Sequence, residues 1–323
     1  MTLTPAPVVT VIVPGFDVAT FASEALESLR AQSMPRWQAV LVNDASADET
    51  GRIFDEYAGR DERFRVLHQP MRRGLGAARN AALERVDTEY VAFLDADDIM
   101  RPEALHRLWS SLESSGSDFV TGAYVRLRPT PTGGYAPGQV QPWVARATDP
   151  RRSAVTLREH AAASGNIVAW SKMSRIEFWR RLSLRFPEGK AYEDQVVAQR
   201  MYTGAHAFDV IPDVVVEWRE RADGSSITQH KYEITVLRDY LEALEAGLDV
   251  LRAGGFDDAL RERLPLIFTL DLPPLVAIGE HHPDAAYRTA IGAFVRRLDA
   301  HVEDVTLPRE SGAASALELA RSW

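Results

Sequence analysis

The stretch Glu89-Tyr-Val-Ala-Phe-Leu-Asp95-Ala-Asp97-Asp98 decides the fold. An apolar run ends abruptly in three carboxylates within four residues. Tyr90 to Leu94 reads as a parallel strand covered on both faces, because such strands are continuous apolar runs rather than alternating ones. Open α/β sheets bind ligands outside the carboxyl ends of their strands, and these carboxylates sit at such an end. Hard oxygen ligands there suit Mg²⁺ or Mn²⁺, ions that commonly bring a substrate phosphate with them. The competing reading is an acidic loop leading into a helix that opens at Pro102-Glu103. The surrounding chain tips the balance toward a ligand site.

Working outward, strand and helix patterns alternate over the first hundred residues. Val8 to Val13, Ala39 to Val42 and Phe64 to Leu67 read as strands. Phe21 to Ala31, Thr50 to Tyr57, Gly74 to Arg85 and Glu103 to Leu112 read as helices, the first with Phe21, Ala25, Leu26 and Leu29 on one side. This order predicts an α/β fold with a mostly parallel sheet and right-handed crossovers. Asp118 to Arg128 continues as a longer strand. Pro129 to Pro150, rich in Pro, Gly and Thr, is expected to be a surface loop or flap. Val168 to Met173 is expected to be a strand, and Ile176 to Leu182 and Glu193 to Tyr202 helices. Phe208 to Ile211 and Val214 to Trp218 are expected to pair around a turn at Pro212-Asp213. From Tyr232 onward, Leu237, Leu241, Leu244, Leu248 and Leu251 mark a helical stripe, read first as core packing. A boundary is therefore expected near residue 230, with residues 1–230 catalytic and 231–323 helical.

Composition narrows the class. With 323 residues, 46% of them hydrophobic, the chain can bury a large core. A formal charge of −9 argues against a nucleic-acid partner, which needs a basic footprint. The absence of cysteine excludes disulfides, thiolate zinc sites and cysteine nucleophiles. No secretion signal and no membrane-spanning stretch is legible, so a cytoplasmic location is expected, with the inner face of the cell membrane left open.

Three strand ends should converge on one sheet edge: Pro14-Gly15-Phe16-Asp17, Asn43-Asp44-Ala45-Ser46 and Asp95-Ala96-Asp97. Asp44 either caps the following turn or accepts from a base N–H. Phe16 is either core or a wall against a flat ring. The run Arg72-Arg73-Gly74-Leu-Gly76-Ala-Ala78-Arg79-Asn80 fails as a dinucleotide fingerprint, yet its short residues let a helix start approach the sheet. Arg79 then supplies a fixed donor fork for phosphate or base, or is a solvated helix residue. Glu193-Asp194 opens a helix, either complementing its dipole or supplying a general base. Arg219, Arg221, Ser225 and Ser226 follow a strand and suit a pyrophosphate, or form a solvated turn. His230 is a weaker candidate for a metal or phosphate contact, and His281-His282 is expected on the surface.

Taken together, Val-Ile-Val-Pro14, Val-Asn-Asp44-Ala-Ser46, Gly74-x-x-x-Ala78-Arg79-Asn80, Phe-Leu-Asp95-Ala-Asp97-Asp98, Tyr192-Glu193-Asp194 and Trp218-Arg219 through Ser226 resemble the family 2 glycosyltransferases of GT-A fold. The likeness runs from residue 8 to about residue 230, and its last block looks most like the bacterial wall teichoic acid and surface-polysaccharide enzymes. It implies a Rossmann-like catalytic region with a helical C-terminal extension, a UDP-sugar donor and Mn²⁺ or Mg²⁺. By position, Pro14, Phe16, Asp44 and Arg79 are expected to hold the nucleoside, Asp95 the ribose or sugar, and Asp97 the metal. Asp194 is expected to be the base, supported by Glu193, with Arg219, Arg221, Ser225 and Ser226 over the diphosphate. Two departures stand out: Phe16-Asp17 replaces a usual Tyr-Asn pair, and Met71-Arg72-Arg73 stands where an asparagine normally precedes the glycine. The implied acceptor is a glycan or polyol-phosphate polymer, with N-acetylglucosamine, glucose and galactose all open as the sugar. Peripheral membrane association through the acceptor and self-association through the C-terminal helices are left open. The rival expectations are a noncatalytic nucleotide-sugar or glycan-binding module and a sugar nucleotidyltransferase.

Overall fold

The computed structural model describes residues 6–224, 230–299 and 313–323. Its strands are β1 (Val9–Gly15), β2 (Trp37–Asn43), β3 (Phe64–His68), β4 (Tyr90–Phe93), β5 (Ile99–Met100), β6 (Phe119–Pro129), β7 (Tyr135–Pro137), β8 (Arg152–Val155), β9 (Lys172–Arg175) and β10 (Phe208–Arg219). Its α-helices are α1 (Ala19–Arg30), α2 (Thr50–Arg60), α3 (Leu75–Leu83), α4 (Ala104–Ser115), α5 (Pro142–Thr148), α6 (Ile176–Arg181), α7 (Asp194–Gly204), α8 (Ile234–Ala253), α9 (Asp257–Leu266), α10 (Leu272–His281), α11 (Ala285–Asp299) and α12 (Ala313–Arg321).

The sheet runs β3-β2-β1-β4-β9-β6-β10-β5. The first four strands are mutually parallel. Every residue of β1, β2 and β4 is buried, which explains their mostly apolar, non-alternating character. β9 then enters antiparallel between β4 and β6, while β10 lies parallel to β6. The fold is thus α/β with a mostly parallel sheet and flanking helices, as the alternation predicts.

Several local expectations need correction. Phe208 to Arg219 is one strand rather than a hairpin. It stays beside β6 throughout, and its register shifts between Ile211 and Val214 absorb Pro212, which has no N–H for the ladder. Only Lys172 and Met173 of the expected 168–173 strand lie in β9, because Ala169–Ser171 is a single 3₁₀ turn. The supposed flap contains β7, paired to β6, and α5, whose Val144 and Ala147 are buried. His282 is buried and stacks on Tyr287, so only His281 is on the surface.

In α1, Ala25, Leu26 and Leu29 are buried, while half-buried Phe21 turns toward Tyr135. The leucine stripe of α8 is buried as core: Leu237, Leu241, Leu244 and Leu248 join a second apolar cluster with α10, α11 and α12, and Leu251 joins the main core. α8 packs along α7, with Gly247 facing Gln195 and Gln199. The C-terminal helices therefore brace the helix that begins at Asp194.

Candidate active site

The parallel register brings the strand ends together. The Asp44 N–H donates to the Gly15 carbonyl at 3.0 Å, and the Ala96 N–H to the Pro14 carbonyl at 3.3 Å. Pro14, Asp44 and Asp95-Ala96-Asp97 consequently share one edge, as the sequence predicts. Asp44 is buried there, and its two carboxylate oxygens accept from the backbone N–H groups of Arg73 (2.8 Å) and Gly74 (2.7 Å). It is thereby tied to the segment that launches α3. Gly74 has φ +87°, a conformation that costs glycine little and other residues more.

Helix α3 presses close against the loop ahead of α7. A Cβ at Gly76 would lie 2.1 Å from the Pro187 carbonyl oxygen. Asn80 bonds the same loop in both directions, receiving the Phe186 N–H at 2.9 Å and donating to the Phe186 carbonyl at 2.8 Å. This contact delivers Arg79, on the same helix, to the middle of the site.

Arg79 is 1% exposed and contacts three carboxylates. Its Nη2 lies 2.7 Å from Asp95, and its Nη1 lies 2.6 Å from Glu193 and 2.5 Å from Asp194. The solvated-helix alternative for Arg79 is therefore excluded. Burial opposes its charge, but Asp194, Asp95 and Glu193 outweigh burial and hold its pKa above the ordinary value. Burial raises the Asp95 pKa against the attraction of Arg79. Burial, aided by Asp194, pushes Glu193 up to about 8. Asp194 uses its other oxygen to accept the Ala169 N–H at 2.9 Å.

The remaining candidates lie on the other side of Asp95. Asp97 pairs through Oδ2 with Arg221 at 2.7 Å. Arg219 is 2% exposed and lies beneath the acidic turn. Its Nε donates to the Asp97 carbonyl at 2.7 Å, its Nη2 to Glu24 at 2.6 Å, and its backbone N–H to Asp98 at 2.8 Å. Tyr135 faces its guanidinium at 4.4 Å. Asp98 is buried with Oδ2 unpartnered, and burial with its acidic neighbours raises its pKa strongly. Phe16 is half-buried, and the Arg72 guanidinium stands 3.9 Å from its ring centre. His230 is exposed and contacts Glu233 at 3.1 Å. Ser225 and Ser226 lie outside the described residues.

Divalent ions of the Mg²⁺ type need only one or two protein carboxylates beside substrate phosphates. The Asp97 carboxylate at the sheet edge fits that requirement, although the described residues hold no cluster of three or more His, Cys, Asp or Glu side chains suited to a metal.

The family model described as "Glycosyl transferase family 2" matches residues 10–152, which include β1 through β4 and the acidic turn. Residues 10–152 are a glycosyl transferase family 2 domain. EpsJ of Bacillus subtilis strain 168, described as an uncharacterized glycosyltransferase, is 28% identical to this glycosyltransferase over 275 residues, covering 84% of the chain and 78% of the relative. A poly(ribitol-phosphate) beta-glucosyltransferase of Bacillus spizizenii is 24% identical over 266 residues, covering 80% of the chain but 39% of that protein. The crystal structure of S. aureus TarS 1-349 in complex with UDP-GlcNAc superposes with a TM-score of 0.71 at 20% identity, covering 97% of the chain and 89% of TarS 1-349. That likeness extends the shared fold to the C-terminal helices.

Three parts of this glycosyltransferase's site escape sequence reading. Glu24 and Tyr135, which hold Arg219, come from helix α1 and the short strand β7, with no acidic or aromatic motif. Lys172 is the third: it is 2% exposed, and burial lowers its pKa to about 7. The available signal was one lysine inside the apolar run from Ile167 to Met173.

Proposed function

We propose that this enzyme transfers a sugar from a UDP-sugar to a hydroxyl of a cell-surface polymer, with inversion at the anomeric carbon. The observation that carries the reading is the Arg79 hub, which joins Asp95, on the strand-end side, to Glu193 and Asp194 on α7. A donor gripped at the strand ends would present its sugar toward α7, where a base is needed. The TarS complex with UDP-GlcNAc supports a UDP-sugar donor. The poly(ribitol-phosphate) beta-glucosyltransferase supports a polyol-phosphate acceptor. N-acetylglucosamine, glucose and galactose are the sugars to test.

In this reading Pro14, Phe16 and Asp44 flank the nucleoside. The acceptor oxygen attacks the anomeric carbon as the bond from that carbon to the diphosphate breaks, its electron pair leaving on UDP. The hydroxyl proton passes to Asp194, and Glu193 supports that carboxylate through their shared partner Arg79. Arg221 is the arginine placed to meet the departing diphosphate, whereas Arg219 holds the turn that carries Asp97. Asp97 would hold Mg²⁺ or Mn²⁺, which when bound supplies positive charge against the leaving group.

The test is thermal stabilisation by nucleoside diphosphates and UDP-sugars with and without Mn²⁺, followed by product analysis. A ligand that binds only the folded state raises its stability by mass action. The expected result is a Mn²⁺-dependent shift with UDP compounds, absent in Asp97→Ala, and release of UDP. Release of pyrophosphate would instead identify a nucleotidyltransferase, and no shift with any nucleotide would overturn the donor assignment.

A further inference from the structure

Lys172 stands at the start of β9, the antiparallel strand inserted beside β4. Its Nζ donates to the Asn166 carbonyl at 2.8 Å and to the Val168 carbonyl at 2.7 Å, with the Asn166 side-chain oxygen at 3.5 Å. Among the described residues no carboxylate lies within ion-pair distance of it, and the more distant charge of Asp194 only partly offsets the burial that lowers its pKa. Burying an ammonium without a close counter-ion is costly. A methionine of similar length would avoid that penalty. The role of the nitrogen therefore lies in what it holds.

What it holds is the segment immediately before Ala169, whose N–H reaches Asp194 at 2.9 Å. The two carbonyls have other donors as well, Tyr202 on Asn166 at 3.0 Å and the Ser171 hydroxyl on Val168 at 3.2 Å. Lys172 differs from these in spanning both carbonyls at once. It also lines, with Asp194, Ala169, Phe93 and Phe186, one small cavity beside the site. The opposite oxygen of Asp194 is already occupied by Arg79. The Ala169 N–H is thus the contact that sets the rotation of the carboxylate about its bond to Arg79.

We propose that Lys172 is a positioning residue: by clamping the Asn166 and Val168 carbonyls it aims the Ala169 N–H at Asp194 and so orients the base. The inference rests on the assignment of Asp194 as base. A misplacement of about 1 Å in a reacting group can cost about 10²-fold in rate.

The test is turnover of Lys172→Met, measured as UDP released from whichever of UDP-glucose, UDP-galactose and UDP-N-acetylglucosamine the parent enzyme consumes fastest, with Mn²⁺. The expected result is a fall in kcat of about 10- to 100-fold, with the KM for donor and the donor-induced thermal shift retained. In an Asp194→Asn background, Lys172→Met should change the residual rate by no more than about twofold, since groups that act as one unit are not additive. An unchanged kcat in Lys172→Met overturns the proposal, as does a loss that multiplies in the Asp194→Asn background. If Lys172→Met yields no folded protein, Lys172→Gln is read by the same measurements. Wild-type turnover by Asp194→Asn itself would instead remove the base assignment on which the proposal stands.

Discussion

Nη1 of Arg79 lies 2.5 Å from Oδ1 of Asp194, so the first residue of one helix is tethered to the middle of another more than a hundred positions earlier. The same nitrogen serves Glu193. The acid at the start of α7 therefore does more than complement a helix dipole, a surface effect worth about 0.3–1 kcal/mol. It is one arm of a buried cluster in which losing a partner is a severalfold larger event.

Asp194→Asn should retain the fold and the UDP-induced thermal shift while losing turnover by about 10²–10⁴-fold, the usual range for general-base assistance. The amide is isosteric but cannot take the proton from the acceptor. Steady-state UDP release checks this, and near-parental turnover would remove Asp194 from its role.

Arg79→Leu should be far more damaging to stability than any surface arginine. It strands Asp95, Glu193 and Asp194 without their common cation, and an uncompensated buried charge costs about 3–5 kcal/mol. By contrast Arg52, exposed and paired with its neighbours Glu49 and Glu56, should barely change stability on truncation. Urea midpoints for the two variants make the comparison, and equal losses would contradict the hub.

Glu193 gives a pH signature. Its pKa in the fold is pushed up to about 8 from an ordinary value of 4.5. An acid with a raised folded pKa binds its proton more tightly in the native state. Its contribution to stability is therefore full below pH 4.5 and is lost as pH rises through about 8. Glu193→Gln mimics the protonated form, so its stability relative to the parent should improve steadily between about pH 5 and about pH 9. Denaturant unfolding at a series of pH values measures this, and a difference that stays flat would sink the argument.

Gly76→Ala tests the approach of α3 to the 186–188 loop. The new methyl would meet the Pro187 carbonyl oxygen at 2.1 Å, and that oxygen is backbone. Overpacking of this kind typically costs about 1–3 kcal/mol. Because Arg79 rides on the same helix, kcat should fall together with the urea midpoint. A stable and fully active Gly76→Ala variant would show that the loop yields.

Much of the site was legible because it follows from strand ends. Asp44, Asp95 and Asp97 each close an apolar run, and a parallel sheet must bring such ends to one edge. What was illegible depends on partners distant in sequence. Arg79 read as a ligand for phosphate or base, with a solvated residue as the alternative, since nothing in its own helix specifies three acids from elsewhere. Phe208 to Arg219 looked like two strands because Pro212 usually stops a ladder, and only the neighbouring β6 shows that the strand resumes. The short β9 has no strong pattern of its own, so its antiparallel insertion, and with it Lys172, depended on β4 and β6 being in place. Arg219 was read as a diphosphate ligand for its chemistry, but Glu24, Tyr135 and the acidic turn enclose it.

The Arg72 guanidinium over Phe16 changes how affinity at that ring should be understood. In the proposed reading, where Phe16 flanks the nucleoside, the ring is not bare before a donor arrives: it already carries a flat, positively charged tenant from its own chain. An exposed contact of this type is worth about 0.5–1 kcal/mol. A planar group approaching that face is therefore weighed against a resident competitor, and only its margin over arginine registers as binding. Shortening residue 72 would vacate the ring and could tighten a stacked ligand even while removing a cation from its surroundings.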